Sequence, residues 1–181
     1  MKRAAVVAIL ALGGCGGSSP PPDRAVQVDL PPQDCEPARV RYGPNPGPGA
    51  ELDGIPWVRG GPRATGLVAL FWFWPEEWSE RRVRRARIYA RGAGPKGLNM
   101  KVMWTFADPA AWQRAGADIS IRGRRIGGHG RYSRTFPAVG SGTADDAPAY
   151  ATIINLPRPG CWRLTATTGS LDGWVDIRAV R

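Results

Sequence analysis

Glycine and proline punctuate this chain from end to end, 24 Gly and 18 Pro in 181 residues. Long helices are disfavoured, because Pro removes a backbone donor and Gly carries the largest entropy cost on ordering. Short strands joined by turns suit such spacing. Candidate strands run over 39–42, 67–74, 85–91, 99–106, 118–126, 150–156, 161–168 and 174–180. Several alternate with period two, as half-buried strands do. Val102, Trp104 and Phe106 face one way, and Lys101, Met103 and Thr105 the other. Trp162, Leu164 and Ala166 share a face; so do Val175, Ile177 and Ala179, opposite Trp174, Asp176 and Arg178. About seven or eight such strands read as an all-β sandwich.

Segment 67–74 is apolar on both faces and is expected as a central strand. Residues 75–84 read as one or two helical turns, with Pro75 at the first position and acids near the N-terminal end. Glu77 with Arg81 and Glu80 with Arg84 are spaced as i,i+4 pairs, worth about 0.2–0.5 kcal/mol each. Residues 169–173 form a hairpin loop between the last two strands. Residues 43–66 are expected to be irregular structure packed on the surface.

The start of the chain reads as an address. Lys2 and Arg3 precede an apolar run over 4–12 that is too short to cross a bilayer, which needs roughly 20 apolar residues. Small residues Gly13 and Gly14 follow, then Cys15. That is the pattern of a signal peptide with a lipidated cysteine after the cut. The expected organisation is a lipoprotein signal over 1–14, a flexible lipid-anchored tether over 15–24, and one domain over 25–181. The tether combines Gly and Ser with a Pro run over 20–22. The expected location is the extracytoplasmic face of the cell membrane, with Cys15 as the anchor. An ordinary secretory signal, with Cys15 incidental, is the alternative.

Counting cysteines is consistent with the anchor. Three is odd for a secreted protein. With Cys15 lipidated, Cys35 and Cys161 remain, and an oxidising compartment lets them pair. The other state open to them is two buried thiols.

The formal charge is +10, and falls to +8 without Lys2 and Arg3. A basic surface attracts anionic polymers or lipid headgroups. The compartment argues against nucleic acid. A GC-rich coding sequence would also raise Arg, Ala and Gly, and needs no ligand.

Three stretches carry a resemblance. One is 92–104, ending Lys101-Val102-Met103-Trp104. The second is Ile121-Arg122-Gly123-Arg124-Arg125-Ile126. The third, and most distinctive, is Leu156-Pro157-Arg158-Pro159-Gly160-Cys161-Trp162-Arg163-Leu164-Thr165. Together they resemble an uncharacterised group of bacterial secreted proteins and lipoproteins with a C-terminal Gly-Cys-Trp motif, over about residues 66–181. The resemblance implies an immunoglobulin-like domain in the envelope and implies no activity. In that group an acid often follows the Arg-Arg-apolar step; here Gly127 and Gly128 follow Ile126.

Gly160-Cys161-Trp162 reads as structural, since a disulfide beside a Trp is a core staple of sandwich domains. His129, the single histidine, lies in a glycine loop and reads as solvated. Lone His is a poor metal site. Ser133, Ser141 and Asp145 would be its nearest partners in a hydrolase, but no Gly-x-Ser-x-Gly elbow is present. Asp145-Asp146 and Glu76-Glu77 are neighbours in sequence, whereas glycosidase carboxylates face each other across a cleft. Asp145-Asp146 reads as a solvated turn, with weak calcium binding as its other use.

Arginine offers the better candidates. One cluster holds Arg81, Arg82, Arg84, Arg85, Arg87 and Arg91, the other Arg122, Arg124, Arg125, Arg131 and Arg134. Guanidinium forks match phosphate and carboxylate geometry. Arg85, Arg87, Arg122, Arg124 and Arg125 are the candidate anion-binding residues, and Trp57, Trp72, Trp74, Trp78 and Trp112 can stack on sugars. The expectation is a non-enzymatic binding module for anionic envelope components, without metal or cofactor. An envelope hydrolase using His129, or a structural subunit with a large exposed apolar patch, are the alternatives.

Overall fold

Period-two segments become strands, and two sheets face each other across their apolar sides. In a computed structural model of the chain, the described residues are 35–46, 54–92, 94, 100–139 and 147–181. The signal, the tether with Cys15, Ser141 and Asp145-Asp146 lie outside them. In chain order the elements are β1 (Trp57–Arg59), β2 (Leu67–Phe71), α1 (Glu76–Glu80), β3 (Arg87–Tyr89), β4 (Met100–Phe106), α2 (Pro109–Trp112), β5 (Asp118–Arg125), β6 (Arg131–Pro137), β7 (Tyr150–Ile154), β8 (Gly160–Thr168) and β9 (Leu171–Val180). One sheet runs β1-β2-β4-β7; the other runs β3-β9-β8-β5-β6. All pairings are antiparallel except β3 with β9. After β2 the chain crosses to the second sheet and adds β3 beside the last strand. With β4–β7 neighbours in one sheet and β5–β8–β9 in the other, this is an immunoglobulin-like all-β sandwich.

The core is the contact between these sheets. Met100, Val102, Trp104 and Phe106 of β4 belong to one buried cluster with Trp162, Leu164 and Ala166 of β8 and Val175, Ile177 and Ala179 of β9. Each fully buried large side chain contributes about 1.5–3 kcal/mol. Two polar side chains of the core satisfy each other: the Trp104 indole donates to Thr152 Oγ1, which donates to the Val102 carbonyl, both at 2.9 Å.

The double-sided run 67–74 is a central strand, but it ends at Phe71, where Trp72 and Phe73 turn away. Leu67, Ala69 and Phe71 enter the core, while Val68 and Leu70 pack with Trp57 on the sheet's other face. Residues 43–66 are therefore not all surface irregularity. They include β1, whose Trp57 and Val58 are buried. A three-residue strand between glycines and prolines is too short to display a period. β6 was equally hidden, because five of its seven residues are exposed and the apolar signal is absent. Segment 39–42 forms isolated bridges, Arg39 to Arg85 and Arg41 to Trp57, rather than a strand.

In the helical region, α1 stops at Glu80 and Arg82 takes a left-handed φ of 45°. The expected i,i+4 ion pairs do not form, because Arg81 and Arg84 lie beyond the helix. Glu77 instead accepts from the Tyr89 hydroxyl at 3.0 Å. α2 is a second short helix beyond the one expected, and Asp108 caps it by accepting from Ala110 N–H at 3.0 Å. The β8–β9 hairpin turns on two residues, Gly169 and Ser170, since Thr168 already pairs with Leu171. Gly169 stands at φ +53°, and a Cβ there would collide with the Arg114 carbonyl.

Cys35 and Cys161 form a disulfide, with Cα atoms 6.1 Å apart across a sequence separation of 126. It joins the start of the described domain to the penultimate strand. It is not a staple between the two sheets. Trp162 points into the core and is fully buried, so its neighbour Cys161 must point outward, where it is half-buried.

The edge of β9 opposite β8 is covered in relay. Gly61 exchanges two hydrogen bonds with Trp174, Ala38 N–H donates to the Asp176 carbonyl, and β3 pairs over 178–180. Covered edges do not recruit other strands.

Candidate functional site

Cross-strand partners share a sheet face, so the registers place each arginine. On β5, Ile119, Ile121 and Gly123 face the core side, which turns Ser120, Arg122 and Arg124 outward. Arg124 lies opposite Arg163 of β8 on one side and Arg131 of β6 on the other. Arg122 lies between Thr165 and Ser133. Arg163 faces Asp176 of β9, and Arg178 faces Arg87 of β3. Arg85 precedes Arg87 by two and shares its side.

Arg85 and Arg87 of the first cluster and Arg122, Arg124 and Arg131 of the second thus reach one outward face of the five-stranded sheet. Arg122, Arg124, Arg131 and Arg178 are exposed on it. Two candidates are already engaged. Arg85 bonds the Glu36 carboxylate at 2.8 Å, in the open. Arg87 lies over the Trp78 ring, 5.4 Å from its centroid. Arg125 does not belong to the face. It pairs with Trp162 and has the core-side parity, at the end of the strand, packed against Gly128 and Gly160. Strand alternation separates it from its neighbour Arg124. Arg134 has that opposite parity too, as the partner of Ile121.

Arg163 was not among the candidates, although its position between Trp162 and Leu164 is the signal that would have placed it. It is buried at 4% exposure and grips Asp176 with two bonds of 2.7 Å. Its guanidinium lies 5.9 Å from the Trp174 ring centroid. Asp176 is spent on this pair, so Arg122, Arg124 and Arg131 have no acid directly across from them. Asp118 and Asp172 stand at the distant end of the same sheet.

The tryptophans divide. Trp57 and Trp78 are buried and unavailable for stacking on a sugar, and Trp112 donates to the Phe106 carbonyl at 2.9 Å. Trp72 is exposed, with the Lys101 ammonium 5.2 Å from its ring centroid. Trp74 sits within an aromatic string: Phe71 to Trp74 at 5.3 Å, Trp74 to Trp78 at 5.0 Å and Trp78 to Tyr89 at 4.8 Å. Trp72, Phe73, Trp74, Pro75, Tyr89, Gly94 and Met100 line a half-open pocket of about 290 Å³.

His129 is exposed in the β5–β6 turn, and among the described residues it has no hydrogen bond to a serine or carboxylate. No group of three or more His, Cys, Asp or Glu is placed to hold a metal among the described residues. Four phenols, Tyr42, Tyr89, Tyr132 and Tyr150, are pushed above their ordinary range by burial. A raised phenol stays protonated at neutral pH and serves as a hydrogen-bond donor rather than a nucleophile. No helix of the described residues is long and apolar enough to cross a membrane.

No family model, curated protein or solved structure matches this chain.

Proposed function

We propose that this protein is a lipid-anchored, extracytoplasmic binding module that holds an anionic envelope polymer across the outward face of β5, β6 and β8. The observation that carries the reading is the exposed set Arg124 and Arg131, directly opposite each other, with Arg122 beside them. Like charges set directly opposite each other on a sheet destabilise it. A fold that keeps them together without acids between them has a surface that gains when an anion arrives. Exposed guanidiniums take phosphate or carboxylate oxygens bidentately, and a row of them suits a polymer better than a single small anion. Cys15, following its apolar run, supplies the anchor in this reading, and the resemblance to envelope lipoproteins agrees with it. No catalytic step is part of the proposal.

The test is retention of the purified protein on an immobilised anionic polysaccharide, with and without salt. Binding at low ionic strength, released as salt rises, is expected. Arg122→Glu with Arg124→Glu should abolish it, while Arg134→Glu, on the opposite parity, should weaken it less. Absence of binding at low salt would end the polymer reading. The anchor is tested separately, by mass analysis of the N-terminal peptide for a lipid on Cys15.

A further inference from the structure

The molecule has two unlike ends. At one end β2 and β7 finish, β4 and β8 begin, and β9 runs out. The registers Met100 with Ile154 and Gly160 with Ala179 place these termini together. The other end holds α2, the β8–β9 hairpin and the acids Asp108, Asp118 and Asp172.

Of the five exposed large apolar side chains among the described residues, three are at the first end: Trp72 at 36%, Phe73 at 46% and Ile153 at 49%. Trp72, Lys101 and Ile153 form a row across the outer side of the four-stranded sheet. Trp72 N–H donates to the Lys101 carbonyl, and Lys101 is the register partner of Ile153. Around them stand cations. Arg91 follows β3 and donates to the Pro157 carbonyl at 2.7 Å; Arg158 lies between β7 and β8; Arg181 follows β9. All three are exposed. Glu36, Glu76 and Glu77 are nearby acids; Glu36 is taken by Arg85 and Glu77 by Tyr89.

Exposed indole and phenyl rings amid arginine and lysine are the composition of a surface that meets a bilayer. Aromatic rings settle at the headgroup level, and cations meet anionic lipid. The chain's own geometry names that occupant. Cys35 is pinned by its disulfide to Cys161, the second residue of β8, so the chain enters the described domain at this end. Nineteen residues lie between it and Cys15. The full reach of that stretch is about 70 Å at most.

We infer that this end of the sandwich is a membrane-contact surface, in which Trp72 and Phe73 enter the headgroup layer of an anionic bilayer and Arg91, Lys101, Arg158 and Arg181 meet lipid phosphates. The inference rests on the lipid-anchor reading for its orientation. Seated this way, the domain would stand upright on the membrane with α2 and the β8–β9 hairpin farthest from it. The arginine face would lie along its flank, open to a polymer running beside the membrane.

The test uses the full chain carrying Cys15→Ser, so that no acyl chain contributes, and vesicles of phosphatidylcholine with or without phosphatidylglycerol. Flotation with the anionic vesicles at low salt is expected, with quenching of tryptophan emission by bromine-labelled acyl chains. Trp72→Ala with Phe73→Ala should cut the bound fraction about tenfold or more, since burial of one such ring is worth at least that. Unchanged near-ultraviolet circular dichroism outside the lost tryptophan band shows the variant folded. Flotation that ignores these substitutions, or no flotation, overturns the inference. So does a variant that still binds vesicles but loses a stoichiometric protein complex from detergent extracts, because the patch would then be a protein contact. A lipid found on Cys15 of the unaltered chain together with failed flotation would leave the anchor standing and remove only the contact surface.

Discussion

Arg163 and Asp176 close on each other across β8 and β9 through two hydrogen bonds of 2.7 Å, on the side of the sheet that faces away from the core. Both are more than nine-tenths buried. Trp174, two residues before Asp176, lies near the guanidinium, and Gly61 receives the indole so closely that a Cβ there would stand 2.7 Å from its ring. A charged pair is thus sealed on what would otherwise be an open arginine surface.

Removing one partner should be costly and removing both should not. Asp176→Asn or Arg163→Met alone is expected to lower stability by about 3–5 kcal/mol, because each leaves a buried charge or donor unpaired. Arg163→Met with Asp176→Leu should return to within about 1 kcal/mol of the parent or exceed it. Arg163 Nη1 already lacks a hydrogen-bond partner, so the native pair is not fully satisfied. Urea midpoints for the four proteins give the comparison; an additive double variant would show that the two side chains do not act as a unit.

Cutting the disulfide should loosen one segment and weaken the whole. The loop it closes spans 126 residues, for which chain entropy gives about 5 kcal/mol, with about 2–5 kcal/mol the range measured for such losses. Cys35→Ser with Cys161→Ser is expected to lower the unfolding midpoint accordingly. Hydrogen exchange should quicken first at Ala38 and Val40, whose amides bond Asp176 and Arg84. A gain of two hydrogens on reduction of the parent confirms the bond by mass.

Alkali should weaken the fold, with Tyr150 as one of the four raised phenols that contribute. The Tyr150 hydroxyl bonds the Gly116 carbonyl and Thr168 Oγ1, and Thr168 Oγ1 bonds the Asp118 carbonyl at 2.7 Å. Burial raises the phenol in the folded state, with the Thr168 bond pulling down and Asp118 pushing up. The unfolded phenol ionises near the ordinary value of about 10. The sign follows: above that pH the folded state holds a proton the unfolded state has lost, so stability is complete below about pH 10 and declines as pH climbs beyond it. Tyr150→Phe should cost about 1–3 kcal/mol at neutral pH and flatten the alkaline limb. Thermal unfolding across about pH 8 to 11 reads both effects.

What the sequence settled was local. Alternation in Lys101–Phe106 and in the last two strands divides the core-facing side chains from those on the opposite side correctly, because the two-residue period of a strand depends only on the chain itself. Glycine and proline spacing excluded long helices for the same reason. β1 and β6 escaped, the first by brevity and the second because an exposed edge strand needs no apolar period. The same alternation separates Arg124 from Arg125 and sets Arg163 on the side opposite Trp162 and Leu164, but adjacency in sequence obscures it.

Tertiary structure decided everything that depends on which strands become neighbours. The sequence alone showed two arginine clusters, a basic total charge and cysteines able to pair. That members of both clusters share a face required β3, β9, β8 and β5 to lie side by side in register, a long-range arrangement no window of residues encodes. Trp57 and Trp78 became core while Trp72 and Phe73 became surface, because burial is settled by what packs on top. The end at which the chain enters was likewise set by pairing, through Cys35 on Cys161. Period and turn chemistry are properties of a few consecutive residues; charge juxtaposition, burial and polarity of the two ends are properties of contacts between residues far apart in the chain.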